Sequence, residues 1–520
     1  MAVVNVSSAA LCKASGLTEE EVIGGLTSIG MPVEFGEIKS LLVEITPNRP
    51  DLFSVEGIAR ALKAYSRKEI NEYKVEKSDY VLAVSNKTTD ARPAISAAVV
   101  KGLKIDEETL LGLMQLQEKL HDTIGRKRKK VAIGIHDLKP IVWPLEYTVA
   151  VGDKFVPLDS KEEMDAWEVL KKHPKGIAFA HLVERKAVII KDKKGIISFP
   201  PIINSERTRV THNTKDVLVD VTGTSQETVD AVLDIVTTSL ADLGGTVYEV
   251  KVGTRTCPDF VPKKVKLKLR EANSVLGLEL SQKEAQECLL RMGIRCDGEN
   301  ALVPPYRADV ISFTDVLEDI AIGYGYENIE PTLPALNTVG RGRDDWEAAR
   351  DSLLGMGFME ITTHVLTNAA LLSIVGRERG ALEIKNSASE EFNLLRTSLL
   401  QSMLVCFSNN KMKGMPQLFY EIGTVYEKGE EERLCFGMMG DGASLTSLQP
   451  YLQTLMKELG FGFELRACED SAFIKGRCVE ILVGGEVVGV MGSAHPEVIE
   501  KFGLTAPVAL CELRITLLKK

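Results

Sequence analysis

No stretch of this 520-residue chain is apolar for long enough to span a bilayer. Its start, Met1-Ala2-Val3-Val4-Asn5, lacks the basic lead and apolar core of a secretory signal. Cytoplasmic residence, with no membrane partner, is the expectation. Cysteine is sparse: the nine residues are scattered, with no short paired spacing. That argues against a zinc cluster or a disulfide framework. A glycine-rich loop ending in Lys-Ser/Thr, which would cradle a triphosphate, is missing. No Ser-His-Asp arrangement is apparent, so a covalent acyl intermediate is not expected. The net charge of -10 argues against a protein that coats nucleic acid nonspecifically. It leaves room for a local basic surface.

The remaining composition is that of a globular protein, with 44% hydrophobic and 26% charged residues. The length calls for several domains. The pattern places them at 1–80, 81–255, 256–334 and 335–520. Thr18-x-x-Glu21 and Ser281-x-x-Glu284 are capping boxes, each opening a helix that stops at glycine, Gly30 and Gly293. The shared plan suggests two similar small modules, although two local matches do not prove a duplication. Pro50 sits in a turn, with Asp51 or Ser54 capping the helix through Ala64 and Arg49 paired to an acid. Residues 81–255 alternate strands and helices. They include a strand at 94–100, a helix at 107–124 with leucines at 110, 113, 116 and 120, and a helix at 228–243.

Past residue 335 the pattern predicts helices at 346–356 and 396–409, and strands at 358–366, 417–426, 435–440, 478–483, 487–492 and 509–517. That is a mostly antiparallel sheet with helices. The whole chain is thus expected to be α+β and multidomain: small helix-and-strand modules, a central mixed α/β domain and a C-terminal antiparallel sheet domain.

Three features carry possible chemistry. Asp315, Glu318 and Asp319 lie three and four residues apart on a helix face, with Asp309 just before its start. Four carboxylates suit a hard cation such as Mg²⁺. The same residues also read as a capping box, Ser312-x-x-Asp315, answering the helix dipole. The second feature is the loop Ile202–Arg209, followed by the strand Val217–Gly223 and Thr224. Polar groups at a strand end favour a pocket, or a turn satisfying its own backbone. The third is the basic run Arg126-Lys127-Arg128-Lys129-Lys130, read as a solvated loop or a phosphate contact.

Four ordered motifs bring a resemblance. They are Thr46-Pro47-Asn48-Arg49-Pro50-Asp51 with Ser54 and Gly57; Pro305, Arg307 and Asp309 with Asp315, Glu318, Asp319, Gly323 and Tyr324; Glu391-Phe392-Asn393-Leu394-Leu395-Arg396-Thr397-Ser398-Leu399-Leu400; and His495-Pro496-Glu497-Val498 with Phe502-Gly503-Leu504. Together they resemble the β-subunit family of phenylalanyl-tRNA synthetase, in its shorter archaeal form. The resemblance implies a ligase complex that charges tRNA(Phe) through an aminoacyl-adenylate. It implies an α2β2 assembly, with ATP and phenylalanine bound mainly by α. It also carries Asp309, Asp315, Glu318 and Asp319 into the family's Mg²⁺ pattern, with Arg307 bracing them.

The same resemblance implies an editing domain in residues 81–255 that hydrolyses tyrosine mischarged onto tRNA(Phe). A site selected for phenylalanine does not easily exclude a substrate that only adds a hydroxyl. The candidate residues are Asn204, Glu206, Arg209, Asp220, Thr222 and Gly223. Glu206 or Asp220 would read the tyrosine hydroxyl, Arg209 would hold phosphate or brace an acid, and Thr222 with Gly223 would orient water. The C-terminal domain resembles a class II synthetase fold but departs from its catalytic pattern. Phe419-Tyr420-Glu421 lacks the arginine of a Phe-Arg-x-Glu motif. Gly489-Val490-Met491-Gly492-Ser493-Ala494-His495 lacks the closing Gly-x-Gly-x-x-Arg. A silent copy that packs against α is therefore expected, with His495 as a capping or turn residue. A free-standing deacylase and a nonenzymatic scaffold are the competing readings.

Overall fold

The computed structural model describes residues 2–36, 40–88, 90–333, 340 and 346–518. The chain divides into two compact units, Met1–Leu333 and Pro334–Lys520. No helix among the described residues is long and apolar enough to cross a membrane.

In the first unit one small plan occurs twice. Strands Ala2–Ser7, Val33–Phe35 and Ser40–Ile45 form an antiparallel sheet with Ser40–Ile45 in the middle. Strands Lys263–Lys266, Arg295–Asp297 and Asn300–Val303 repeat it around Asn300–Val303. Two helices follow the first strand of each copy: Ser8–Ser15 and Glu19–Ser28, then Leu269–Leu276 and Gln282–Arg291. Both expected capping boxes are formed, Thr18 with Glu21 and Ser281 with Glu284. The chain then turns through left-handed glycine, at φ 81° for Gly30 and 78° for Gly293. After the third strand each copy makes an Arg-x-Asp turn and enters a last helix. Arg49 pairs with Asp51 before Val55–Arg67, and Arg307 pairs with Asp309 before Phe313–Tyr324. The likeness extends from two local matches to a whole βααββα module.

Gly57 shows how tightly the first turn is built. A Cβ there would lie 1.9 Å from the Asp51 carbonyl oxygen, so the chain closes only over glycine. Gly57→Ala is expected to destabilise the chain by roughly 1–3 kcal/mol, as overpacking does. A thermal midpoint equal to that of the unsubstituted chain would contradict this packing.

Between the two modules lie two larger sheets. One orders Val75–Glu76, Thr246–Tyr248, Ala94–Lys101, Val217–Gly223 and Val131–Asp137. The other runs Ile203–Asn204, Gly195–Phe199, Val188–Asp192, Leu145–Val149, Val81–Val84, Val250–Val252 and Arg255–Cys257. Val217–Gly223 is buried at all seven positions, between antiparallel neighbours on both sides. Its run of valines and leucine suits a strand covered on both faces. One carboxylate, Asp220, stands inside that run and needs a partner. Helices Glu107–Asp122 and Gln226–Asp242 match the expected 107–124 and 228–243 within two residues.

The second unit is built on a seven-stranded sheet: Met359–Glu360, Gln417–Tyr426, Glu430–Met439, Val508–Leu513, Glu486–Ala494, Phe473–Val483 and Glu464–Ala467, with Leu366–Thr367 and Leu394–Leu395 paired apart from it. Every pairing is antiparallel except that of Met359–Glu360. One core packs the sheet against helices Glu347–Gly355 and Leu445–Glu458, another against Leu400–Asn410. The α+β expectation holds. Several boundaries differ; the strands expected from 435 and 478 start earlier, at Glu430 and Phe473. The strand expected at 358–366 survives only as Met359–Glu360 and Leu366–Thr367, with Thr363 between them bound to Glu421. The helix expected from 396 starts at Leu400, because the buried Arg396 reaches Glu421 at 2.8 Å and the Thr424 carbonyl at 2.8 Å. The last strand stops at Leu513 and gives way to the 3-10 turn Ile515–Leu518.

Candidate active site

The first unit holds a cavity of about 240 Å³ beside the strand Val217–Gly223. Leu110, Leu113 and Met114 form part of its wall, with Ile133, Ile135 and Ile203. Asp220 lies among these apolar side chains, and Asn204, Glu118, Arg128 and Arg209 supply further polar groups. Roughly 150 Å³ is enough to hold a benzene ring. An apolar chamber with a few convergent polar groups is the usual form of a small-ligand site.

Three of the six predicted residues therefore meet here: Asn204, Arg209 and Asp220. Asn204 is half-buried at the end of its short strand. Its Oδ1 accepts from Ser198 Oγ at 3.0 Å, and its Nδ2 lies 3.4 Å from the Ile135 carbonyl. Arg209 is exposed and braces two acids, donating to Glu206 Oε1 and Oε2 at 2.8 Å and to Asp159 Oδ1 at 2.5 Å. The other three residues do not line the cavity. Glu206 is turned to Arg209 and to the Asp159 amide, 3.0 Å away. Thr222 is fully buried, its Oγ1 accepting from Arg92 Nε at 2.9 Å. Gly223 ends the strand where a Cβ would lie 2.5 Å from the Lys130 carbonyl oxygen. Arg92 is pulled down to about 10 by burial, which still leaves it charged at neutral pH.

Asp220 is 1% exposed, and His136 beside it is 0% exposed. His136 Nε2 lies 2.8 Å from Asp220 Oδ2, and His136 Nδ1 lies 2.8 Å from Thr208 Oγ1. The structure gives Asp220 Oδ1 no protein partner, and the residue fronts the cavity.

The basic run needs a correction. Arg126, Lys127 and Lys129 are exposed, as a solvated loop requires, but Arg128 is turned inward and buried. Arg126, Lys127 and Arg128 take left-handed φ values of 48°, 54° and 66°. Such conformations cost about 1–3 kcal/mol each and persist where surrounding contacts enforce them. Here Arg128 donates to Glu118 Oε1 at 2.7 Å and to the Ile202 carbonyl at 3.1 Å, and lies 4.7 Å over the Phe179 ring. It ties the helix Glu107–Asp122 to the loop after Phe199.

Glu118 is drawn from the ordinary 4.5 to about 2, by His121 first and then by Arg128, against burial. The His121 Nδ1 contact is long, at 3.5 Å, and the Arg128 pair is the firmer bond. His121 Nε2 accepts from the Ile133 amide at 2.8 Å, so neutral His121 carries its proton on Nδ1, towards Glu118. Burial lowers the His121 pKa, which favours that neutral form. Linkage fixes the sign for Glu118. A carboxyl depressed on folding stabilises above its unfolded pKa and loses that contribution as pH falls through the folded value. Glu118→Gln should therefore flatten the loss of stability between pH 4.5 and about 2 in acid-unfolding curves. Equal curves for the two proteins would contradict the pairing.

The four acids near residue 315 are arranged differently from a metal cage. Arg307 Nη2 donates to Asp309 Oδ2 at 2.7 Å and to Asp319 Oδ2 at 2.8 Å. Asp315 Oδ2 accepts from the amides of Ile311 at 2.8 Å and Ser312 at 2.7 Å, the capping role. Glu318 is exposed. Among the described residues no three His, Cys, Asp or Glu side chains gather as a metal-holding group. The donor chemistry suits Mg²⁺, but the side-chain arrangement does not assemble its shell. In the second unit, His495 Nδ1 accepts from the Glu497 amide at 3.3 Å, so it is the expected capping residue.

Three family models match the chain. They are the phenylalanyl tRNA synthetase beta chain CLM domain over residues 329–515, the tRNA synthetase B5 domain over 265–326 and the B3/4 domain over 125–235. The phenylalanine–tRNA ligase beta subunit of Archaeoglobus fulgidus is 40% identical, across 96% of each chain. The chain belongs to the phenylalanine–tRNA ligase β-subunit family. The β subunit of Methanocella arvoryzae is 36% identical over the full length of both chains. Among solved structures, an N-terminal fragment of the phenylalanyl-tRNA synthetase β subunit from Pyrococcus horikoshii superposes with a TM-score of 0.59 at 36% identity. It covers 62% of this chain and 99% of the fragment. The B3/4 match includes Arg128, Asn204 and Asp220, and the B5 match includes all four acids.

Sequence reasoning missed Gln117, Glu118, His121 and Arg128 at the cavity, and His136 beneath it. Gln117 and His121 are four residues apart on the leucine-striped helix, and polar residues there read as an ordinary solvent face. The available signal was a cationic run directly before an apolar strand.

Proposed function

We propose that this β subunit hydrolyses tyrosine esterified to tRNA(Phe), while an α subunit activates and transfers phenylalanine. The carrying observation is Asp220, a carboxylate in an apolar chamber with one oxygen left for a ligand. A phenol ring fills such a chamber, and its hydroxyl donates to Oδ1. Phenylalanine offers no donor and would leave a buried acceptor unpaired. The Glu118–Arg128 pair and Asn204 are the polar groups available to the ester. Ionised Glu118 is an acceptor for a water, and Asn204 offers an amide to the ester carbonyl. Hydrolysis then proceeds by water held between protein and substrate, with no covalent intermediate. Arg209 and Lys175, also on the lining, favour the tRNA phosphates.

The test is deacylation by the α/β complex. Tyr-tRNA(Phe) should be hydrolysed and Phe-tRNA(Phe) spared. A complex that leaves both esters intact would overturn the reading.

The adenylate chemistry is assigned to α. The observation that supports this is the second unit's polar interior, which is consumed internally. Arg396 and Glu421 pair in a buried site, and Arg433 donates to Glu512 Oε2 at 3.2 Å. Phosphoryl chemistry needs cationic groups offered to the ligand. The purified chain alone should show no phenylalanine-dependent pyrophosphate exchange; robust exchange would contradict a silent second unit. An α2β2 assembly acting in the cytoplasm is the accompanying reading. Magnesium at Asp309, Asp315, Glu318 and Asp319 is a separate proposal, supported by donor chemistry alone. It would require the outward Glu318 and Asp315 to join Asp309. Anomalous scattering from Mn²⁺ at these acids would support it, and a metal-soaked crystal of the complex without a peak there would reject it.

A further inference from the structure

We propose that His136 is the positioning residue that sets tyrosine-over-phenylalanine selectivity, by fixing which oxygen of Asp220 faces the substrate. This rests on the hydrolysis reading above.

Two strands and a 3-10 turn converge on one hydrogen bond. Asp220 sits opposite Gly134 in the antiparallel register, and His136 is two residues further along the same neighbouring strand. Gly134 and His136 therefore share a strand face. A Cβ at Gly134 would lie 2.1 Å from Asp220 Oδ2 and 2.8 Å from His136 Nε2. The space above Gly134 is thus occupied by the Asp–His contact itself. Thr208, in the 3-10 turn Glu206–Thr208, supports the far side of the ring. Thr208 is 1% exposed, so solvent does not satisfy these groups.

The proton arrangement follows from partner geometry. The Thr208 hydroxyl lies 2.8 Å from His136 Nδ1 but 3.3 Å from the Ser205 carbonyl. The Asp220 carboxylate only accepts, so the proton of its contact with the ring sits on His136 Nε2. His136 Nε2 therefore donates to Asp220 Oδ2, and the Thr208 hydroxyl is the polar contact at Nδ1. Oδ2 is committed to the protein, and Oδ1 is fixed towards the cavity as an acceptor. Rotation of the carboxylate would break a buried charge-assisted bond, which resists loss of selectivity. His136 itself does not line the cavity.

The role predicts a kinetic signature. The phenolic hydroxyl is remote from the ester, so a misplaced Oδ1 weakens binding of ground and transition states alike. KM for Tyr-tRNA(Phe) should rise while kcat changes little. The experiment uses the α/β complex with His136→Ala, His136→Gln and Thr208→Val, each assayed on Tyr-tRNA(Phe) and Phe-tRNA(Phe). His136→Ala should lower the ratio of tyrosyl to phenylalanyl kcat/KM about tenfold or more, the effect of a lost hydrogen bond to a charged group. His136→Gln, whose amide reaches the Nε2 position, should restore most of that ratio. Thr208→Val, close in shape, should give a smaller loss and supplies the readout should His136→Ala fail to assemble.

A folded His136→Ala complex with unaltered selectivity overturns the proposal. So does a loss confined to kcat, or a Thr208→Val ratio equal to that of the unsubstituted complex when His136→Ala does not assemble. If the unsubstituted complex hydrolyses neither ester, the hydrolysis reading fails and this inference falls with it. Selectivity in the unsubstituted complex that persists in the variants removes this inference alone.

Discussion

An α/β complex carrying Asp220→Ala is expected to hydrolyse Tyr-tRNA(Phe) at least 10- to 100-fold less selectively, about the worth of a hydrogen bond to a buried charge. Charging with phenylalanine should be preserved. The reason is local. Asp220 is the one charged residue in a strand buried at every position, and its Oδ1 is left without a protein partner. Alanine removes the acceptor and also strips His136 of its bond. Paired assays of deacylation and aminoacylation decide the matter. Equal loss of both activities would point to damaged assembly, and unchanged selectivity would remove Asp220 from substrate recognition.

Arg307→Ala should destabilise the first unit by about 3–5 kcal/mol, the range for breaking a buried ion pair. Arg307 is 5% exposed and holds Asp309 and Asp319 together, with a further bond to the Met292 carbonyl at 3.2 Å. Burial raises the Asp319 pKa above the usual carboxylate range. Burial pushes Asp309 the same way, but Arg307 outweighs it and holds the Asp309 carboxyl below that range. Removing the guanidinium breaks both direct pairs and leaves the two carboxylates with only the weaker, unbonded influence of Arg49. Denaturant unfolding of the chain should show a lower midpoint with a similar slope. A midpoint within about 0.5 kcal/mol of the unsubstituted protein, the usual range for an inert surface change, would contradict this account.

Much of the fold was legible because local signals agreed with it. Capping boxes marked two helices, and leucines at 110, 113, 116 and 120 marked a third. The failures have physical causes. Arg396 sits in a run that reads as helix, but its bond to Glu421, 25 residues away, holds the chain out of helix until Leu400. Arg128 sits in a run that reads as solvent-exposed, but a left-handed backbone turns it onto Glu118. Asn204 and Asp220 were visible because polar groups stood out beside and within apolar runs. His136 was not, since its partner is 84 residues away and its own strand looks ordinary. At the Arg307 turn the capping alternative for Asp315 is formed, and Arg307 braces Asp309 and Asp319 as the resemblance implied.

The central claim is that the cavity reads a tyrosine hydroxyl at Asp220. Its most direct test is a crystal structure of the α/β complex with a non-hydrolysable tyrosyl analogue, 3′-tyrosylamino-adenosine. The account predicts the phenol ring between the helix Glu107–Asp122 and the strand Val131–Asp137, its oxygen in hydrogen-bond contact with Asp220 Oδ1 and its amide near Asn204 and Glu118. An analogue bound with its hydroxyl away from Asp220, or bound outside the cavity, would contradict it.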